Sequence, residues 1–322
     1  MPPLSPPFAA VTISSKSLSL IYRSSGPRDT LVWKVTSPEP PDGRAGEWSN
    51  LQRFPSIKTL FPPAATVVDD VVWILYSEPN SNSKIEPNFN GKIAYANSTN
   101  WIPSAIDFFV APGEVIPTTL ISPALTQRNG FLYASVVISD DNVSAPNALG
   151  IIRTTSRVTT LHKPAWKASV VSRFATPTFT PAIAQLRNTL YVVYGPIPDL
   201  YIIQSVEGIE WTWPVRIPLD DRTICSPALT VMNGKLHLFY IKSDFTIWFI
   251  VSFNGLDWTD PSHLPRNMTT ASSPVVTVLN DRMYVFFGSL ANDGTIWYTM
   301  SPSLTAWPGP YHLPDAITYG IG

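Results

Sequence analysis

The chain has 322 residues, 44% of them hydrophobic and 12% aromatic, and a formal net charge of −1. That length and apolar content fill a large core, in one big domain or two smaller ones, and exclude a disordered chain. With 14% charged residues and Lys+Arg (22) balanced by Asp+Glu (23), there is no basic footprint for nucleic acid or an anionic membrane face, and neither is expected as a partner.

In chain order, the first unit reads PPFAAVTISSKSLSLIY from Pro6 to Tyr22, two apolar segments around a turn, followed by TLVWKV and Trp48. The second opens with PPAATVVDDVVWILY and continues with KIAYAN and Trp101; the third opens with SPALTQRNGFLYASVV and continues with LGIIRT and Trp166. The fourth, fifth and sixth open with TPAIAQLRNTLYVVY, SPALTVMNGKLHLFY and SPVVTVLNDRMYVFF. They continue with LYIIQS and Trp211, TIWFIV and Trp258, and TIWYTM and Trp307. Thirteen residues after Pro63, Pro123, Pro181, Pro227 and Pro274 stand Tyr76, Val136, Tyr194, Tyr240 and Phe287, a constancy that marks a true repeat.

Each unit thus holds four short strands. Asn129-Gly130 and Asn233-Gly234 suit two-residue hairpins, because both central positions need φ > 0. Six such units predict an all-β chain forming one six-bladed β-propeller, with four antiparallel strands per blade. The expected blades are about 5–54, 55–110, 111–171, 172–218, 219–265 and 266–322. Apolar runs without alternation fit sheets packed on both faces between neighbouring blades. The Gly-Gly pairs of kelch blades and the Gly-His and Trp-Asp signatures of WD40 blades do not occur.

The strand 2–3 loops and the blade-to-blade connections gather at one end of such a ring. The loops are long in blade two (residues 77–91) and blade three (139–150), and are expected to form a partial lid. The connections place Lys58, Phe61, Glu114, Thr118, Phe174, Thr176, Phe179, Arg222, Thr223, Thr270 and Tyr319 as candidates around the central funnel. Conventional catalytic patterns are missing. His162, His237, His263 and His312 lie at no metal-ligand spacing, and no phosphate loop or nucleophile elbow occurs, so neither a metal nor another cofactor is expected. His263 and His312, in SHLP and YHLP, occupy equivalent positions and read as structural. SVEGIEW and SFNGLDW echo the Asp-box turn without its first Asp and read as turn chemistry. Cys225, the single cysteine, excludes a disulfide framework and reads as a small buried hydrophobe. The N-terminal segment has no basic stretch followed by an apolar run, and no segment reaches the ~18 apolar residues of a membrane helix, so a cytoplasmic protein is expected.

In blade number and length the chain resembles the fungal fucose-binding six-bladed propellers. Those lectins place an Arg, a Glu and an aromatic ring in each inter-blade pocket. Here the third strands carry Lys34, Tyr95, Arg153, Gln204, Phe249 and Tyr298, which share no such chemistry. Apolar positions repeat while polar ones diverge, which points to one asymmetric site in the funnel, suited to a hydrophobic small molecule held by a few hydrogen bonds. In that character the chain is similar to the cofactor-free, lectin-like hetero-Diels–Alderases of fungal pathways, which join a tropolone-derived quinone methide to a humulene-type sesquiterpene. The resemblance implies a polyketide or terpenoid substrate held in near-attack geometry, an effect worth up to about 7–11 kcal/mol in favourable cases. It also implies that Arg222, Lys58 and Thr223 polarise the heterodiene oxygen, with the remaining candidates forming the substrate wall. A glycan-binding lectin and a protein-interaction scaffold are the alternatives.

Overall fold

A computed structural model describes residues 8–13, 17–23, 31–37, 42, 48–59, 61–78, 91–106, 118–119, 121–139, 148–159, 162–172, 177–196, 198–291 and 295–313. Every regular element among them is a strand, and the strands form six four-stranded antiparallel blades. Blade 1 holds β1 (Phe8–Ile13), β2 (Ser17–Arg23), β3 (Leu31–Ser37) and β4 (Ser49–Lys58). Blade 2 holds β5 (Ala64–Val68), β6 (Val71–Glu78), β7 (Gly91–Asn97) and β8 (Ser104–Ala105). After the two-residue β9 (Thr118–Thr119), blade 3 holds β10 (Ala124–Arg128), β11 (Phe131–Ser139), β12 (Ala148–Thr154) and β13 (Trp166–Ser172). Blade 4 holds β14 (Ala182–Leu186), β15 (Thr189–Tyr194), β16 (Tyr201–Ser205) and β17 (Val215–Arg216). Blade 5 holds β18 (Ala228–Met232), β19 (Lys235–Ile241), β20 (Ile247–Ser252) and β21 (Ser262–His263). Blade 6 holds β22 (Val275–Leu279), β23 (Arg282–Gly288), β24 (Ile296–Ser301) and β25 (Tyr311–His312).

The hairpins form as their turn residues dictate. Asn129 and Gly130 adopt φ of 52° and 80°, Asn233 and Gly234 of 51° and 69°. Asp69-Asp70 and Asn280-Asp281 take the same left-handed pair, with φ between 48° and 60°, because short polar side chains tolerate that region. The first strands β1, β5, β10, β14, β18 and β22 touch in sequence, and β22 returns to β1. Among the described residues the ring closes by packing, since blades 1 and 6 are each built from consecutive strands.

Six buried clusters fill the six seams. On β19, Leu236, Leu238 and Tyr240 face blade 4 while Phe239 and Ile241 face blade 6. Both faces are buried, which is why these strands read as continuous apolar runs. Tyr22, Tyr76, Val136, Tyr194, Tyr240 and Phe287 each face the preceding blade, so their sixfold recurrence is packing. Full burial of one such side chain contributes about 1.5–3 kcal/mol. At the closing seam Trp48 meets Phe286 and Tyr298 edge-on, at 6.0 and 5.9 Å.

Two features depart from six independent sheets. β9 bridges β7 and β11: Thr118 pairs with Lys92 and Ser139, Thr119 with Gly91 and Ile138, so backbone bonds stitch blades 2 and 3 together. A hydroxyl relay also links the connections near the axis. The Thr180 N–H donates to Ser226 Oγ at 3.0 Å, and the Ser226 N–H donates to Ser273 Oγ at 2.9 Å.

Candidate functional site

At the funnel end, the described candidates do different work from one another. The Thr223 hydroxyl is buried and donates to the Cys225 carbonyl at 3.0 Å, and the buried Thr270 hydroxyl reaches the Ser272 carbonyl at 3.3 Å. Thr59 makes the same bond to the carbonyl of Phe61, a half-buried residue. These hydroxyls hold the turns that lead into the first strands of blades 2, 5 and 6. Phe179 is fully buried, and Thr118 lies in β9. Lys58 and Arg222 are exposed, Lys58 as the last residue of β4, the outermost strand of blade 1. Glu114, Phe174, Thr176, Tyr319 and the cores of the two long loops lie outside the described residues.

Beside Arg222, the connection from blade 4 to blade 5 is anchored by charge. Lys242 Nζ lies 2.5 Å from Asp220 Oδ2 and 3.3 Å from the centre of the Trp248 ring, and the Tyr240 hydroxyl donates to Asp220 at 3.1 Å. Burial works to raise the Asp220 carboxyl, but the hydrogen bond and charge of Lys242 outweigh it and hold it below the usual range. Trp248 also packs against His263, at 4.9 Å, and Trp297 carries His312 in the same way at 5.4 Å. The two histidines thus hold equivalent places against the third strands of blades 5 and 6. Cys225 is buried, which pushes its thiol up to about 12, and contacts the Ala271 carbonyl.

The third strands do not share one register. Tyr95, Phe249 and Tyr298 pair with Leu75, Phe239 and Phe286, whereas Arg153 and Gln204 pair with Tyr133 and Tyr191, two places nearer the outer turn. Tyr95, Phe249 and Tyr298 are buried packing residues. Gln204 instead reaches a cleft at the opposite end of the ring from the funnel mouth.

That cleft, about 630 Å³ in volume, is lined by Thr189, Gln204, Glu207, Glu210, Trp211 and Thr212 among others. The turn after β16 builds it. Ser205 Oγ accepts the Gly208 N–H at 2.8 Å, and Gly208 adopts φ 69° so that the turn leans on Tyr133 of blade 3. Thr212 closes the base: its N–H donates to the Gln204 carbonyl at 3.0 Å, and its hydroxyl accepts the Gln204 N–H at 3.1 Å.

Blade 5 repeats this turn with different side chains. Ser252 Oγ accepts the Gly255 N–H at 2.8 Å; Asn254 Oδ1 accepts from Leu256 and Asp257, both at 2.9 Å; and Asn254 Nδ2 donates to the Asp257 carboxylate at 2.8 Å. Trp258 Nε1 donates to the Gly255 carbonyl at 3.2 Å. Blade 4 places Glu207 and Glu210 where blade 5 has Asn254 and Asp257. Two carboxylates have no proton to share, so neither satisfies the other. The Trp211 indole N–H also has no hydrogen-bond partner. The blade-4 turn therefore exposes two acceptors at the places its twin uses internally, while the Trp211 N–H is buried beneath them. Setting SVEGIEW against SFNGLDW shows this substitution of Glu for Asn and Asp.

No protein-family model matches the chain, and no curated protein does. Solved structures share the fold. A variant of the Aleuria aurantia lectin in complex with Fucα1-6GlcNAc superposes with a TM-score of 0.65 at 9% identity, covering 98% of each chain. A lectin from Burkholderia pseudomallei gives 0.58 at 12% identity over 97% of this chain and 100% of its own. The Penicillium chrysogenum α-L-arabinanase complexed with arabinobiose gives 0.61 at 12% identity over 89% and 88%. The chain thus shares its six-bladed architecture with proteins of lectin and glycoside-hydrolase type, at identities that speak for fold alone.

Proposed function

We propose that the protein is a carbohydrate-binding propeller whose site is the blade-4 cleft. The observation that carries this reading is the pair of exposed carboxylates, Glu207 and Glu210, set with Gln204, Thr189 and the Trp211 indole around one cleft. Sugar hydroxyls donate strongly to carboxylates, an amide both donates and accepts, and the C–H face of a pyranose packs on an indole. The lectins among the structural neighbours agree with it. The cyclase reading, in which a hydrophobic polyketide or terpenoid occupies the funnel, has Lys58 and Arg222 as its exposed donors, while the Thr223 hydroxyl is committed to Cys225.

A glycan array followed by calorimetry on the best ligand tests the assignment. Glu207→Gln, Glu210→Gln and Trp211→Ala are each expected to weaken binding about tenfold, the loss of one charged hydrogen bond or one stacked ring. Stabilisation by apolar polycycles alone, with no glycan bound, would return the site to the funnel.

A further inference from the structure

Resting on that assignment, we infer that the cleft selects glycans by charge: it takes neutral and, best, amino sugars, and rejects sugars that carry carboxylates. Glu207 and Glu210 stand three residues apart on one turn, both exposed and both lining the cleft. No Lys or Arg is among the lining residues. Three cations of the surrounding blades are engaged or lie outside the lining, and Arg153, which pairs with Tyr133 on the blade-3 side, is also outside it. Lys235 lies over the Phe253 ring at 4.5 Å on blade 5, Arg216 pairs with Asp199 at 2.8 Å, and Arg187 is exposed on the β14–β15 turn outside the lining.

An ammonium group on a bound sugar would give each carboxylate a charge-assisted partner, and Gln204 and Thr189 would complete the hydrogen bonding of the neighbouring hydroxyls. A uronate or sialate in the same place would meet two like charges with no cation in the cleft lining. The net charge of −1 for the whole chain makes long-range attraction of a cationic ligand weak, so the preference originates at the cleft.

The test compares three sets of short oligosaccharides by calorimetry: β1-4-linked glucosamine oligomers, their N-acetylated counterparts, and uronate oligomers of equal length. The glucosamine oligomers are expected to bind at least tenfold more tightly than the uronates, with the N-acetylated series between. Raising salt should compress the ladder, because exposed charges are screened over about 8–10 Å at moderate ionic strength. The Glu207→Gln/Glu210→Gln double variant should flatten it, with an unchanged melting temperature because neither carboxylate holds the fold. A flat or inverted ladder in the wild type overturns the charge selection while leaving carbohydrate binding in place, provided that a neutral glycan binds. A ladder that survives in the double variant also overturns it. Failure of all three sets and of the glycan array removes the carbohydrate assignment, and the charge selection with it.

Discussion

Gly208 sits at φ 69° against the Tyr133 ring, where an added Cβ would lie 2.3 Å from the ring edge. Gly234 has the same φ of 69° with nothing within 4 Å of such an atom. Gly234→Ala should therefore cost only the left-handed strain, about 1 kcal/mol. Gly208→Ala adds the clash, about 1–3 kcal/mol more, and tilts the turn that carries Glu207 and Glu210. Denaturant midpoints for both variants, with glycan affinity for the second, check this; equal midpoints would mean that the blade-4 turn is free to shift. His237 is a second residue-scale case. It is buried among apolar neighbours at a position where blades 3, 4 and 6 carry Tyr133, Tyr191 and Tyr284. Burial lowers its pKa, the hydrogen bond with the Met232 carbonyl works in the other direction, and the Lys235 charge lowers it further. The native ring thus stays neutral below the unfolded value of about 6.5, while the unfolded chain takes up a proton there. Stability should fall as pH drops through that value, and His237→Tyr should reduce the slope in denaturation curves run from neutral pH to about pH 5. An unchanged slope would show that other groups govern it.

At the scale of elements, the hydroxyl relay makes a graded prediction. Ser273→Ala leaves the buried Ser226 N–H without its acceptor, and Ser226→Ala does the same to Thr180, so each should cost about 1–3 kcal/mol. Ser122 stands at the equivalent place in blade 3, but the preceding blade has Pro62 there, which has no N–H to donate, and Ser122 Oγ is unpartnered. Ser122→Ala should be neutral or stabilising by the same measurement; a cost equal to that of Ser226→Ala would break the relay account. The elements themselves were legible in the sequence because each blade must pack against two like it, so the apolar spacing repeats. The same logic was available for Thr223 and Thr270, which stand four residues before their anchor prolines, as does Thr59. A hydroxyl that recurs with the repeat holds the turn. The stitch β9 was not legible, since two threonines carry no periodicity. Nor was the third-strand register, because loops of unequal length between the second and third strands hide which residues pair, and pairing alone decides which face a side chain takes.

At the scale of the whole molecule, six similar seams surround one dissimilar cleft, and this bears on stoichiometry. Selection for packing acted on every blade, whereas the acid pair stands in one of the described turns. Blade 5 satisfies its Asn254 and Asp257 internally, and blade 6 has Ser303 and Ala306 at those places, with Ser303 bonded to Thr305 at 2.8 Å. A ring with functional pockets in every seam binds several ligands per chain and crosslinks glycan-coated surfaces through avidity. This chain should instead bind about one ligand per chain in a calorimetric titration, and the Glu207→Gln/Glu210→Gln variant should weaken all of that binding rather than a fraction of it. A stoichiometry of several ligands per chain, or a class of sites untouched by the variant, would place binding in the seams, where Lys34 lies 5.7 Å from the Trp101 ring and is the first residue to test.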